Sequence, residues 1–298
     1  MEPHHQSEII GAMKKPDFYP HPIQEMSVRE THISTVFLTG DYVYKIKKPV
    51  DLEFLDFTTL DGRRHFCHEE VTLNRRLTRD VYLDVVSITL DDHHYGLDGH
   101  GRPVEYAVKM RQLSDKSSMF HLLRKNKLDT GSIQSLARML AQFYKAAKTG
   151  PEIDVIGSWK TVWSNCEENF VQTQESAGSI IDPRKFQIIR SVTRSFLRRR
   201  KSLFDQRLLE GKIRECHGDL RTGHIYFTRN GIQVIDCIEF NKRFRYQDIA
   251  SDLAFLGMDL DFSGFPQTAH SLLKTYAHCS DDPDIFILMD FYKCYRAM

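Results

Sequence analysis

The segment HGDLRTGHIYF, residues 217–227, places His217, Asp219, Arg221 and His224 within eight residues, just before a β-prone run. Ile225–Thr228 and Ile232–Ile235 are β-prone, and Arg229-Asn230-Gly231 between them supplies a turn signal, so a hairpin is expected. Folding about Asn230 brings His224 opposite Asp236, with Asp219 one short loop upstream. Two carboxylates and an imidazole at one end of a hairpin form the arrangement that phosphoryl transfer needs. One carboxylate accepts or orients the proton of an attacking hydroxyl; the second, helped by a loop residue, holds the metal bound to the ATP phosphates. The plainer alternative is a set of loop and strand-end carboxylates that cap turns.

Other elements must position such a group. In TVFLTGDYVYKIKK, two β-rich runs flank Thr39-Gly40-Asp41, a second hairpin signal. The alternation of a strand puts Val43, Lys45 and Lys47 on one face and Tyr44 and Ile46 on the other. FTTLDGRRHFCHEEVTLNRRL reads as a helix, with Phe66, Glu70, Leu73 and Leu77 on one face. YLDVVSITL and PVEYAVKMRQL read as strands joined by the turn-rich DDHHYGLDGHGR. Beyond Leu113 the pattern turns helical, with Ile133, Leu136, Leu140, Phe143 and Ala147 forming an apolar stripe. A strand-rich part, a pivot segment and a helix-rich part predict an α+β chain of two lobes.

Composition limits the partners. The 298 residues are 41% hydrophobic and 27% charged, with 41 Lys+Arg against 40 Asp+Glu and a net charge of +1. That balance gives no electrostatic reason to expect nucleic acid or a membrane surface as a partner. The six cysteines show no CxxC and no zinc-ligand spacing, and read as reduced thiols. There is no signal-peptide pattern and no apolar run of membrane-spanning length, so a cytoplasmic protein is expected.

HGDLRTGHI followed by VIDCIEF resembles the catalytic loop and metal site of the aminoglycoside phosphotransferase-like kinases, which share the bilobal protein-kinase fold. VYKIK resembles their phosphate-lysine strand and CHEEVTLNRRL the helix that carries the lysine's glutamate partner. MRQL, with Met110 and Gln112, falls where the hinge would be. LARMLAQFYKAA and FRYQDIASDLAFL resemble two of their C-lobe helices. The resemblance runs from about residue 33 to the end. It implies a lead-in at 1–32, an N-lobe and hinge at 33–113, and a helical C-lobe at 114–298, with ATP and Mg²⁺ or Mn²⁺ bound between the lobes. It looks closest to bacterial proteins in which such a domain precedes a P-loop domain. The present residues contain no G-x-x-x-x-G-K-[ST] and stop inside an expected helix, so a truncated chain is the expectation.

The resemblance also implies roles. Asp219 matches the catalytic base, His217 the residue that braces its loop, Asp236 the metal ligand, and Asp252 a carboxylate that bonds the loop's backbone amides. Lys45 matches the phosphate lysine, with Lys47 its rival on the same face; Glu70 matches the lysine's partner, with Glu69 its rival. Gly40 resembles the tip of a phosphate-covering hairpin, and Arg221 stands where it can clamp a phosphate. The family's asparagine, a second metal ligand, is His224 here, which suits Mn²⁺, Zn²⁺ or Fe²⁺ better than Mg²⁺. Three outcomes stay open: a kinase with altered metal preference, a nucleotide binder with slow chemistry, and a pseudokinase that regulates a protein partner. For a working kinase the expected acceptor is a small hydroxyl compound. The acidic residues Asp259, Asp261, Asp281, Asp282 and Asp284 favour a cationic one such as an aminosugar.

Overall fold

A computed structural model describes residues 3–23, 25–175, 178 and 180–298. Its contacts divide the chain into two units, one of residues up to His121 with His224–Asn241, the other of Leu122–Gly223 with Lys242–Met298.

The first unit is built on an antiparallel sheet. After helix α1 (Pro3–Met13) come β1 (Ser27–Glu30), β2 (Ser34–Leu38), β3 (Tyr42–Lys47) and a short ribbon of β4 (Asp51–Leu52) and β5 (Leu55–Asp56). Helix α2 (Leu60–Asn74) follows, then β6 (Tyr82–Asp91), β7 (His94–Leu97) and β8 (Arg102–Arg111). The sheet order is β1-β2-β3-β8-β6-β7. The stretch read as a plain loop between β6 and β8 thus carries an extra edge strand, β7.

Alternation along β3 sends its side chains into two different cores. Val43 packs with Cys67 and Val71 of α2 and with Tyr82, Val108 and Met110. Tyr44 and Ile46 pack on the opposite face against Ile9, Met13, Phe18 and Tyr19. The N-terminal lead-in is therefore core, each large apolar side chain contributing about 1.5–3 kcal/mol when buried. Its polar Gln6 joins in by donating to the Lys47 carbonyl at 2.8 Å.

Thr59 starts α2 by accepting from the Gly62 backbone N–H. The helix ends at Asn74, so Leu77 lies beyond it, and the buried face carries Arg63, Cys67, Glu70, Val71 and Asn74. Arg63 and Glu105 form a buried ion pair at 2.9 Å, which lets a charged residue sit inside.

The second unit is mainly helical: α3 (Met119–Arg124, its first residues belonging to the first unit), α4 (Thr130–Ala146), α5 (Pro151–Gly157), α6 (Trp159–Gln174), α7 (Pro183–Arg199) and α8 (Lys201–Leu209). All five residues of the expected apolar stripe along α4 are buried. Strand β9 (Ile213–Glu215) then leads to the 217–223 segment. The chain returns to the first unit for the hairpin β10 (Ile225–Thr228) and β11 (Gly231–Val234).

Back in the second unit come α9 (Lys242–Arg245), β12 (Tyr246–Asp248), α10 (Ile249–Phe262), α11 (Pro266–Ser280) and α12 (Ile285–Ala297). β12 pairs antiparallel with β9, and α11 packs on α4 and α10. Buried Arg207 of α8 is held by Asp248 at 2.7 Å and Asp282 at 2.7 Å. Among the described residues, no helix is long and apolar enough to cross a membrane.

Candidate active site

In the strand-rich unit, two lysines and three carboxylates converge under the sheet. Lys45 Nζ lies 2.8 Å from Glu70 Oε1 and 2.7 Å from Asp236 Oδ1. Lys47 Nζ lies 2.8 Å from Glu70 Oε2 and also pairs with Glu239. Glu70 is fully buried, whereas Glu69 is half-buried, because only position 70 faces the sheet. Both lysine rivals therefore reach the same glutamate, but only Lys45 also reaches Asp236.

Opposite charges offset the cost of burying Lys45 and Glu70. Burial alone would lower the Lys45 pKa, yet Asp236 and Glu70 raise it well above its ordinary value. For Glu70, burial pushes up, but Lys45 and Lys47 outweigh it and hold the carboxyl below the usual range. Glu239 goes the other way: its burial is offset chiefly by Lys47, and its pKa is raised.

Asp236 is placed by its backbone. Its φ of +65° is left-handed, a conformation that Asp tolerates better than most residues. Its N–H donates to the Tyr82 hydroxyl at 3.1 Å, and the next N–H, of Cys237, donates to Asn74 Oδ1 at 2.9 Å. The hairpin turns on two residues, pairing Ile225 with Val234, so His224 faces Ile235 and not Asp236. The one-residue difference from expectation arises because Gly231 begins β11 instead of sitting within the turn. The bend at Asp236 still brings its Oδ2 to 3.6 Å from His224 Nε2.

Asp236 thus directs one oxygen to Lys45 and the other toward an imidazole. As a donor set for a divalent ion, this pair offers one hard oxygen and one nitrogen, a combination that fits Mn²⁺ better than Mg²⁺. At the β2–β3 turn, Gly40 adopts φ +96° and its N–H donates to Gln112 Oε1 at 3.1 Å. The expected hairpin tip and the residue after β8 are therefore tied together. Met110 of β8 is buried under α2 and is paired across the sheet with Val43.

In the helical unit, the 217–219 turn hangs from one carboxylate. Asp252 of α10 accepts from the His217 N–H at 2.9 Å, the Gly218 N–H at 2.8 Å and the Tyr144 hydroxyl at 2.9 Å. His217 is fully buried, and its Nδ1 accepts from the Asp219 N–H at 3.2 Å. Arg221 Nε lies 3.4 Å from Asp219 Oδ2. Just beyond, Asp259 accepts from both the N–H and the hydroxyl of Thr222.

Sequence reasoning missed three members of these groups. Glu239, three residues after Asp236, was signalled only by a lone acid between Ile238 and Phe240. Asn74 looked like an ordinary helix end, and nothing in the sequence marked Arg296, which donates to the Gly218 carbonyl.

No family model matches the chain. It is 33% identical over 281 residues to uncharacterized proteins of Mycobacterium tuberculosis and Mycobacterium bovis, a match covering 93% of this chain and 55% of each relative. The chain spans about half the length of the curated relatives it matches. A solved choline/ethanolamine kinase family protein from Mesorhizobium loti superposes with a TM-score of 0.53 at 12% identity, covering 98% of this chain and 82% of that one. A choline kinase from Cryptosporidium parvum gives a TM-score of 0.53 at 11% identity, covering 98% and 86%. The chain has the protein-kinase-like fold that these choline kinase structures share, as its motifs led one to expect.

Proposed function

We propose that the chain is an ATP-dependent phosphotransferase that moves the γ-phosphoryl group to a hydroxyl of a small molecule. The observation that supports this most is Lys45, held between Glu70 of α2 and Asp236 after β11. In this reading Lys45 meets nucleotide phosphate oxygens, and Glu70 keeps the ammonium aimed. Asp236 and His224 hold a divalent ion, which neutralises phosphate charge when bound. Asp219 follows the braced His217 and precedes His224 by five residues, so the chain itself limits its distance from the ion.

Asp219 takes the acceptor's hydroxyl proton. The bond from the γ-phosphorus to the ADP oxygen breaks as the bond to the acceptor oxygen forms, giving ADP and a phosphate monoester. Most of the rate gain in such a site comes from positioning and fixed charge.

The test is thermal stability with ATP alone, ATP·Mg²⁺ and ATP·Mn²⁺, because ligand binding to the folded state raises the melting temperature by mass action. A metal-dependent rise, larger with Mn²⁺, is the expected result. Absence of any rise sinks the reading.

His224 carries one second reading, a nucleotide-binding regulatory module with little turnover. A His224→Asn variant separates the two: gained Mg²⁺-dependent turnover marks a retuned kinase, and none marks the module.

A further inference from the structure

We infer that the acceptor carries its own negative charge, as a carboxylate or a phosphate, and that Arg221 holds that charge beside Asp219. The inference rests on the phosphotransferase reading and uses only the helical unit.

Three of the five acidic residues that favoured a cationic acceptor are committed to other partners. Asp259 accepts from the Thr222 N–H at 2.7 Å and its hydroxyl at 2.6 Å. Asp261 pairs with Lys293 at 2.7 Å, and Asp282, buried, with Arg207. Asp281 closes α11 in a left-handed conformation, and Asp284 stands at the start of α12. An open aromatic face is the other usual receptor for a cationic head group. Phe255 of α10 has such a face, but the Arg296 guanidinium lies over it, 4.2 Å from the ring centre.

Two guanidinium groups also stand at the catalytic-loop aspartate. Arg296 donates to the carbonyl of Gly218, one residue before Asp219. Arg221 contacts Asp219 itself, with 48% of its side chain exposed. A guanidinium presents a fork of donors that matches the oxygens of a carboxylate or phosphate. An anionic acceptor draws that fork off Asp219 and leaves the carboxylate to the acceptor hydroxyl. A cationic acceptor meets a like charge at the same place, so the same residue attracts one class and rejects the other.

The experiment uses four matched alcohols, namely glycerol, choline, glycerate and glycerol 3-phosphate. Each is added to the protein with saturating ADP and Mn²⁺, and thermal stability is read. Glycerate or glycerol 3-phosphate is expected to raise the melting temperature while glycerol and choline do not; which anion acts tells carboxylate from phosphate. Arg221→Gln should weaken that binding by about tenfold or more, the share of one charge-assisted pair, with Arg221→Lys in between. A rise with choline and neither anion overturns the inference. So does no rise with either anion, or an Arg221→Gln variant that binds the anion as the wild type does. If ADP·Mn²⁺ alone gives no rise while the Arg221-dependent anion response remains, the phosphotransferase reading falls and the anion site stands.

Discussion

Lys47 and Glu239 form an ion pair sealed inside the strand-rich unit, with side chains 0% and 5% exposed. Because Glu70 also bonds Lys47, this inner pair is continuous with Lys45 and Asp236. The carboxylate that holds Lys45 is thus anchored from behind by a second lysine.

Breaking that anchor should be costly. Lys47→Met takes the lysine from buried Glu239, a loss of about 3–5 kcal/mol in urea unfolding, whereas Glu239→Leu leaves Lys47 its bond to Glu70 and should cost less. The double variant should lose clearly less than the sum of the two, because the pair is removed together. Additive losses would show that the two side chains act independently.

Asp252 should govern the order of the 217–219 turn. Asp252→Ala strands four buried or half-buried donors, the His217 and Gly218 amides, the Tyr144 hydroxyl and the Gln247 side chain, and should cost at least about 3 kcal/mol. The His217 and Gly218 amides should exchange with deuterium much faster than in the wild type. Unchanged protection would mean that the turn is held by other contacts.

The two aspartates assigned to chemistry should fail differently. Asp219→Asn should keep the stabilisation by ATP and metal but lower turnover by about 100-fold or more, the share of a general base. Asp236→Asn, chosen because Asn also accepts a left-handed backbone, should lose the metal-dependent part of the stabilisation. Swapped phenotypes would exchange the two roles.

Thiol reactivity should map the packing. Burial pushes the Cys67 and Cys166 thiols up to about 12, so at pH 8 almost none of either is thiolate. Cys279 is exposed and should be alkylated first in the native protein. Cys67 labelled as fast as Cys279 would show that α2 lifts from the sheet.

Much of this was legible in the residues. The two hairpins follow from turn chemistry and strand periods, and the HGD turn and the Lys45–Glu70 pairing from the resemblance of their motifs. Burial of charge was not legible. Lys47 looks like any solvated strand lysine until Glu70 and Glu239 arrive from distant segments, and pattern reasoning assigns charges to water by default. The hairpin register slipped by one because Arg229-Asn230-Gly231 fits a three-residue turn as well as a two-residue one. The acids of the C-terminal half were visible as a group, but their partners, Thr222, Lys293 and Arg207, lie far off in sequence or on other elements.

The packing of Ile9, Met13, Phe18 and Tyr19 on Tyr44 and Ile46 has a practical consequence. The recognisable motifs begin near residue 33, and a protein trimmed to them would present one whole sheet face, with Val86 and Ile88, to water. Exposed apolar patches of that kind drive self-association. Expressed without its first two dozen residues, the protein should accumulate in inclusion bodies, and adding those residues back as a separate peptide should recover soluble material.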